Sequence, residues 1–161
     1  IEVNVMPGKG GITLTGKLGD VMKESAQTAL TYVRSVASKE YGADTDYFEE
    51  HDIHVHIPEG AVPKDGPSAG VTMATSLMSA LSGKPVNGKV AMTGEISLTG
   101  RVMPIGGLKE KSMAAYKAGV KTVIIPKENT PDLDDIDKAV REGLEFVPVS
   151  TLDEVFKRAL M

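Results

Sequence analysis

Cysteine is absent from the sequence. That excludes disulfides, thiol catalysis and cysteine-based metal sites, and it is compatible with a reducing compartment. No apolar run approaches the ~18 residues needed to cross a bilayer, and none reads as a signal peptide. A basic surplus is missing too: 18 Lys and Arg stand against 22 Asp and Glu, for a formal net charge of −4. With no basic stripe, nucleic acid is not expected as the main partner. Repeats, low-complexity tracts and linkers are also lacking. What remains is an ordinary globular composition, 41% hydrophobic and 25% charged over 161 residues. That is one domain's worth, long enough to bury roughly 70% of its unfolded surface. Ile1, Val3 and Val5 alternate with Glu2 and Asn4. The chain thus opens inside a strand and is expected to be a piece of something longer.

Residues 1–5 and 12–15 read as short strands, and the turn Pro7–Gly11 between them predicts a hairpin. Val21, Met22, Ala26, Ala29, Leu30, Val33 and Ala37 recur at helical spacing, predicting a helix over 20–38 closed near Gly42. A strand over 53–57 leads through a loop to a second helix, expected to start at Pro67 and to end near Gly83. Residues 89–93 read as a buried strand, and 96–105 as a hairpin around Thr99-Gly100. A third helix is expected over 108–118, closed by Gly119. Thr122–Ile125 is a β-branched strand, Thr130 and Pro131 suggest a capped fourth helix, and 146–149 is a strand. Thr151 and Glu154 form a capping-box pattern for the last helix. The expectation is one compact α/β (α+β) domain over 1–161, with a mixed sheet, hairpins and about five helices.

Pro63-Lys64-Asp65-Gly66-Pro67-Ser68-Ala69-Gly70 is a tight loop running into a helix. Ser68 is expected at or near the second helical position, where free N–H groups and the positive end of the dipole converge. A hydroxyl there can attack a carbonyl while nearby N–H groups hold the oxyanion. Gly66, Ala69 and Gly70 would let a substrate backbone come close. A hydroxyl that merely caps a helix is the alternative. Gly66–Gly70 also fits the nucleophile-elbow pattern of α/β-hydrolases, but that fold orders serine, acid, histidine. His51, His54 and His56 all precede Ser68, so the order fails. A histidine–aspartate–serine order would offer only Asp52 or Asp65 as the acid. No serine has lysine three residues later, so the β-lactamase pattern is absent.

The serine therefore needs another base, and a lysine serves if its pKa falls. At the ordinary value only about one lysine in a thousand is neutral at neutral pH. Lowering that pKa by about three costs on the order of 4 kcal/mol, which the fold must supply by desolvation. Leu108, Lys111, Ala115 and Ala118 share one stripe of the third helix, with Lys109, Ser112, Tyr116 and Lys117 on other faces. Lys111 is the lysine expected to point inward. A snorkelling lysine whose stem covers apolar surface is the other reading.

The two windows together resemble the protease domain of the Lon family. Pro63–Gly70 (PKDGPSAG) is similar to the segment around its catalytic serine, and Pro104–Lys111 (PIGGLKEK) to the segment ending in its catalytic lysine. His54–Gly60 (HVHIPEG), Ala91–Glu95 (AMTGE) and Thr122–Pro126 (TVIIP) extend the likeness over essentially the whole chain. The full octamer resembles the soluble bacterial and organellar subgroup. The resemblance implies a serine endopeptidase with Ser68 as nucleophile and Lys111 as general base. It implies that Thr93 hydrogen-bonds the lysine, though a strand-end threonine is the plain alternative. Asp65 is similar to an acidic residue near the dyad, or is a loop cap. It further implies unfolded or damaged protein substrates, a hexameric ring, and a cytoplasmic location, or the mitochondrial matrix if organellar. ATP and Mg²⁺ belong to an ATPase module, which with an N-terminal recognition region lies outside this chain.

His54 and His56 point to the same side of one strand. A structural or cleft-edge role is expected rather than a metal, because no further ligand cluster is evident. Gly11–Lys17 and Gly83–Lys89 have the Gly-x₄-Gly-Lys spacing of a phosphate loop, but Leu18 or Val90 follows where Ser or Thr should bind Mg²⁺. Both are read as accidental, so no ATP binding is expected of this domain. A scaffold domain with a vestigial dyad is the non-enzymatic alternative.

Overall fold

The computed structural model describes residues 1–40 and 46–161; Gly42, the expected close of the first helix, lies outside them. The chain forms β1 (Glu2–Pro7), β2 (Ile12–Thr15), α1 (Asp20–Glu40), α2 (Tyr47–Glu50), β3 (His51–His56) and α3 (Gly70–Ser82). These are followed by β4 (Val90–Met92), β5 (Glu95–Ile96), β6 (Val102–Met103), α4 (Leu108–Lys117) and β7 (Thr122–Pro126). A 3-10 segment (Lys127–Asp135), α5 (Lys138–Gly143), β8 (Glu145–Val149) and α6 (Leu152–Ala159) complete the order. The expected α/β domain with mixed pairing is what forms.

The first sheet corrects one expectation. β1 and β2 are not a hairpin: β3 lies between them, antiparallel to β1 and parallel to β2. Ile53 and Val55 are the buried residues of β3, and pairing on both sides covers its backbone. The Gly8–Gly11 link then has to step over one strand, roughly 10 Å, which an extended link of that length reaches. Asp52 organises the step. Its Oδ1 accepts the N–H of Lys9 at 2.9 Å and of Gly11 at 2.7 Å. The hairpin expected at 96–105 does form, as β5 and β6 joined through Ser97–Arg101.

The second sheet, β4-β7-β8, is all parallel. Strands of this kind are buried on both faces, and TVIIP is. Ile124 faces the larger core with Met73, Leu77 and Met78 of α3, while Val123 and Ile125 face a smaller core with Leu108 and Ala115 of α4. Each such side chain contributes roughly 1.5–3 kcal/mol on burial. α3 and α4 are thereby fixed on opposite faces of one sheet. Their near ends meet beyond the carboxyl end of β4, where open parallel sheets present their ligand sites.

Helix boundaries shift for identifiable reasons. On α1 the stripe Met22, Ala26, Ala29, Leu30, Val33 and Ala37 is buried as expected, but Val21 in the first turn is exposed. The helix expected at Thr130-Pro131 does not form. Thr130 Oγ1 donates to Lys127 O at 2.6 Å instead of accepting a helical N–H, and Pro131 lies inside the 3-10 segment. The α-helix begins later, after Asp137. Thr151 does cap α6, accepting from Glu154 N at 3.3 Å, while Glu154 Oε2 accepts from Ser150 N.

The N–H groups of Lys9 and then Gly11 hold the Asp52 carboxyl below its usual range. A carboxylate favoured in this way stabilises the fold above its ordinary pKa of about 4, and that contribution is lost as pH falls through the lowered value. Asp52→Asn keeps the acceptor and removes the titration. Its denaturation midpoint is expected to fall less steeply than the parent's as pH drops below about 4, and to run parallel to it near neutrality.

Candidate active site

Ser68 does not lie within the helix, contrary to the sequence-based expectation. α3 starts at Gly70, and Ser68 occupies the turn before it. The reason is where the backbone bonds go. Pro67 O accepts from Gly70 N at 3.1 Å, closing a tight turn. Ser68 O, which would otherwise serve the helix, accepts from Gly94 N at 2.9 Å; Val71 N in turn donates to Gly94 O at 3.2 Å. One residue just beyond β4 therefore clips the start of α3 from both directions. Two N–H groups of the helix end, Gly70 and Val71, are spent in these bonds. Gly94 must lack a side chain to do this: a Cβ would sit 2.7 Å from Val102 Cγ1 and 2.8 Å from Val71 Cγ1. Gly70 is also an inward position, since a Cβ there would lie 2.9 Å from Ser25 Oγ. Its smallness serves packing, and Gly66, with open space around it, is the glycine that leaves room outside.

Lys111 comes from the other face of the sheet. The buried line on α4 is Leu108, Ser112 and Ala115, whereas Ala118 is exposed. The expected stripe is thus rotated: Ser112, placed on an outer face, is fully buried, and Lys111 flanks the line half-buried. That flanking position lets the stem follow the apolar wall while the head reaches across. Lys111 Nζ lies 3.1 Å from Ser68 Oγ, donating to it in the charged form, and 3.3 Å from Gly106 O. The Gly107 residue that precedes α4 has φ of 74°, a left-handed value that bends the chain into the helix.

The pair sits at a cleft of about 220 Å³ lined by Ala69, Thr72, Ala91, Met92, Ala115 and Val123 beside Ser68, Thr93 and Lys111. Thr93 is buried in this wall. Its Oγ1 donates to Ser68 O at 3.4 Å, supporting the serine's backbone; the hydrogen bond found is to that carbonyl and not to the lysine. Asp65 lies elsewhere, in the loop against the start of α1. Its Oδ1 accepts from Gly66 N at 2.8 Å and Met22 N at 3.0 Å. The Gly66 N–H, then those of Met22 and Val21, hold its carboxyl below the usual range. Asp65 thus fastens the serine loop to a helix N-terminus. Lys64, the other lysine beside the serine, donates Nζ to Gly16 O, Glu59 O and Val62 O at 2.9–3.0 Å. Those three bonds use every donor of an ammonium, so Lys64 ties the loop down and is not a free base.

His54 and His56 converge on one hydroxyl. Thr15 Oγ1 is 2.8 Å from His54 Nε2 and 2.7 Å from His56 Nδ1. Among the described residues no group of three metal-ligating side chains forms. Neither Gly-x₄-Gly-Lys stretch is a loop between strand and helix: residues 12–15 are β2 itself, and Gly83 caps the end of α3. The sequence reading missed Gly94 and Gly106, which contribute backbone bonds that no residue type announces, and Asn129, whose side-chain amide bonds the backbone of Ile105.

Comparison with known proteins gives a consistent result. The model of the Lon protease (S16) C-terminal proteolytic domain matches residues 1–161. Over the whole chain, the sequence is 61% identical to Lon protease 1 of Bacillus subtilis, 63% to the Lon protease of Bacillus thuringiensis and 60% to that of Lachnoclostridium phytofermentans. The chain spans about a fifth of the length of these relatives.

Two substitutions test the geometry. Gly94→Ala forces a methyl group against Val71 and Val102, and overpacking of this kind costs about 1–3 kcal/mol. A melting temperature lowered relative to the parent is expected in calorimetry. Among the described residues Ser112 Oγ is buried with no hydrogen-bond partner. Removing an unsatisfied hydroxyl recovers about 1 kcal/mol, so Ser112→Ala is expected to raise Tm by about 2–4 °C in calorimetry.

Proposed function

The chain belongs to the Lon protease (S16) family, and from that premise we propose that it is a serine endopeptidase working through a Ser68–Lys111 dyad. The observation that carries this is the 3.1 Å separation of Lys111 Nζ and Ser68 Oγ beside an apolar cleft. With Lys111 neutral, the same separation lets the Ser68 hydroxyl donate to the nitrogen lone pair, while an Nζ–H donates to Gly106 O. Ser68 Oγ then attacks the scissile carbonyl and its proton passes to Lys111. The tetrahedral intermediate collapses to an acyl-enzyme as the C–N bond breaks, and Lys111 returns the proton to the leaving amine. Water next attacks the ester, Lys111 takes its proton, and Ser68 leaves with that proton restored.

The same reading extends to the longer protein. Substrates are unfolded or damaged polypeptides, delivered by an ATPase module that consumes ATP with Mg²⁺. The protomers form a hexameric ring in the cytoplasm, or in the mitochondrial matrix for an organellar source. No helix among the described residues is long and apolar enough to cross a membrane, and the acidic net charge of −4 favours no nucleic-acid partner for this domain.

The test uses a serine-directed peptidyl electrophile at mildly alkaline pH, read by intact mass. A single adduct on Ser68 is expected, absent from Ser68→Ala and slower by about 10²–10⁴ in Lys111→Ala. An adduct that forms equally fast without Lys111 would sink the general-base assignment.

A further inference from the structure

Asn129 sits in the 3-10 segment and is only 4% exposed, yet it touches neither Ser68 nor the cleft. Both ends of its amide are committed. Oδ1 accepts from Ile105 N at 2.9 Å and Nδ2 donates to Ile105 O at 2.9 Å, so the side chain pairs with one residue's backbone as a neighbouring strand would. Nδ2 also donates to Asp132 Oδ2 at 2.7 Å. A carboxylate only accepts, and that fixes which end of the amide is nitrogen.

The residue held in this way is the one before Gly106, whose carbonyl takes the Lys111 ammonium at 3.3 Å. Gly106 is exposed, and a Cβ built there would meet nothing within 4 Å. Gly106 has no side chain of its own to aim that carbonyl. The peptide plane feeding Gly106 is set where Asn129 grips Ile105. We infer that Asn129 is a positioning residue for the reaction: by clamping Ile105 it aims the Gly106 carbonyl, and through it the Lys111 amine, at Ser68. This rests on Lys111 being the base. A neutral lysine amine has one lone pair and free rotation about its last bond. An N–H bonded to a fixed carbonyl removes rotations that turn the lone pair away from the serine. An asparagine is required because the clamp both donates and accepts. An aspartate of the same shape would set a carboxylate against Ile105 O and Asp132.

Asn129→Asp decides the matter in the full chain, with two readouts. The first is the rate of Ser68 acylation per folded molecule across pH. The second is the NMR signal of Lys111 Cε, followed across pH without any electrophile. The expected result is a folded variant acylated about 10- to 100-fold more slowly, with a displaced pH–rate profile and a moved Lys111 signal. A role in stability alone would lower Tm and leave all three unchanged in the folded fraction; that outcome overturns the inference. Should Asn129→Asp not fold, Asn129→Ala, which removes both bonds to Ile105 without adding a charge, is read in the same way. A loss with the same displacement supports the clamp, and an unaltered profile overturns it. If the parent chain itself takes no adduct, the dyad reading fails on its own. Whether the Lys111 signal moves in Asn129→Asp then still decides if Asn129 holds the lysine.

Discussion

The candidate site depends on the backbone of one residue, Gly94. Gly94 N–H donates to Ser68 O and Gly94 O accepts from Val71 N–H, so the first turn of α3 is bonded to the end of β4 before any side chain is considered. Remove that bond pair and Ser68 O is free to serve the helix, which would draw Ser68 into regular α-structure and turn its hydroxyl elsewhere. Backbone hydrogen bonds in a buried setting are costly to leave unmade. The clip is therefore a geometric constraint on Ser68 as much as a source of stability.

The sheet supplies the other half of the arrangement. Because β7 is buried on both faces, α3 and α4 belong to different cores and cannot pack against each other along their lengths. Their near ends approach beyond the carboxyl end of β4. A short serine on one side and a long lysine on the other span that gap at 3.1 Å.

Around the site, loops are held by side chains bonding to backbone in place of regular structure. Asp52 ties the step over β3, Asp65 ties the serine loop to α1, Lys64 gathers three carbonyls, and Asn129 pairs with Ile105. Such bonds act at single points and leave the intervening backbone open, which suits segments that must border a cleft. Their common physical basis is that a buried or half-buried N–H or C=O needs a partner. Where no strand or helix provides one, a carboxylate, amide or ammonium does.

Much of this was legible in the chain alone. Periodicity located the helices and the buried strand TVIIP, and the Thr99-Gly100 turn marked a hairpin that forms. The absence of a usable histidine order turned attention to lysine, and the two windows carrying Ser68 and Lys111 stood out by residue type and by family likeness. These signals are local: propensity, spacing and turn chemistry act within a few residues of chain. The β1–β2 hairpin failed because β3, 35 or more residues further on, competes for both partners. The helix start at Pro67 failed because Gly94 takes the Ser68 carbonyl, and the α4 stripe was rotated because the second core dictates which face is covered. That Ser68 and Lys111, 43 residues apart in the chain, lie 3.1 Å apart in space was decided by the sheet between their helices. Sequence by itself determined which groups are available and which segments can be regular. Only tertiary structure decided which backbone group meets which, because long-range hydrogen bonds and shared cores are properties of pairs of segments and leave no mark on either one alone.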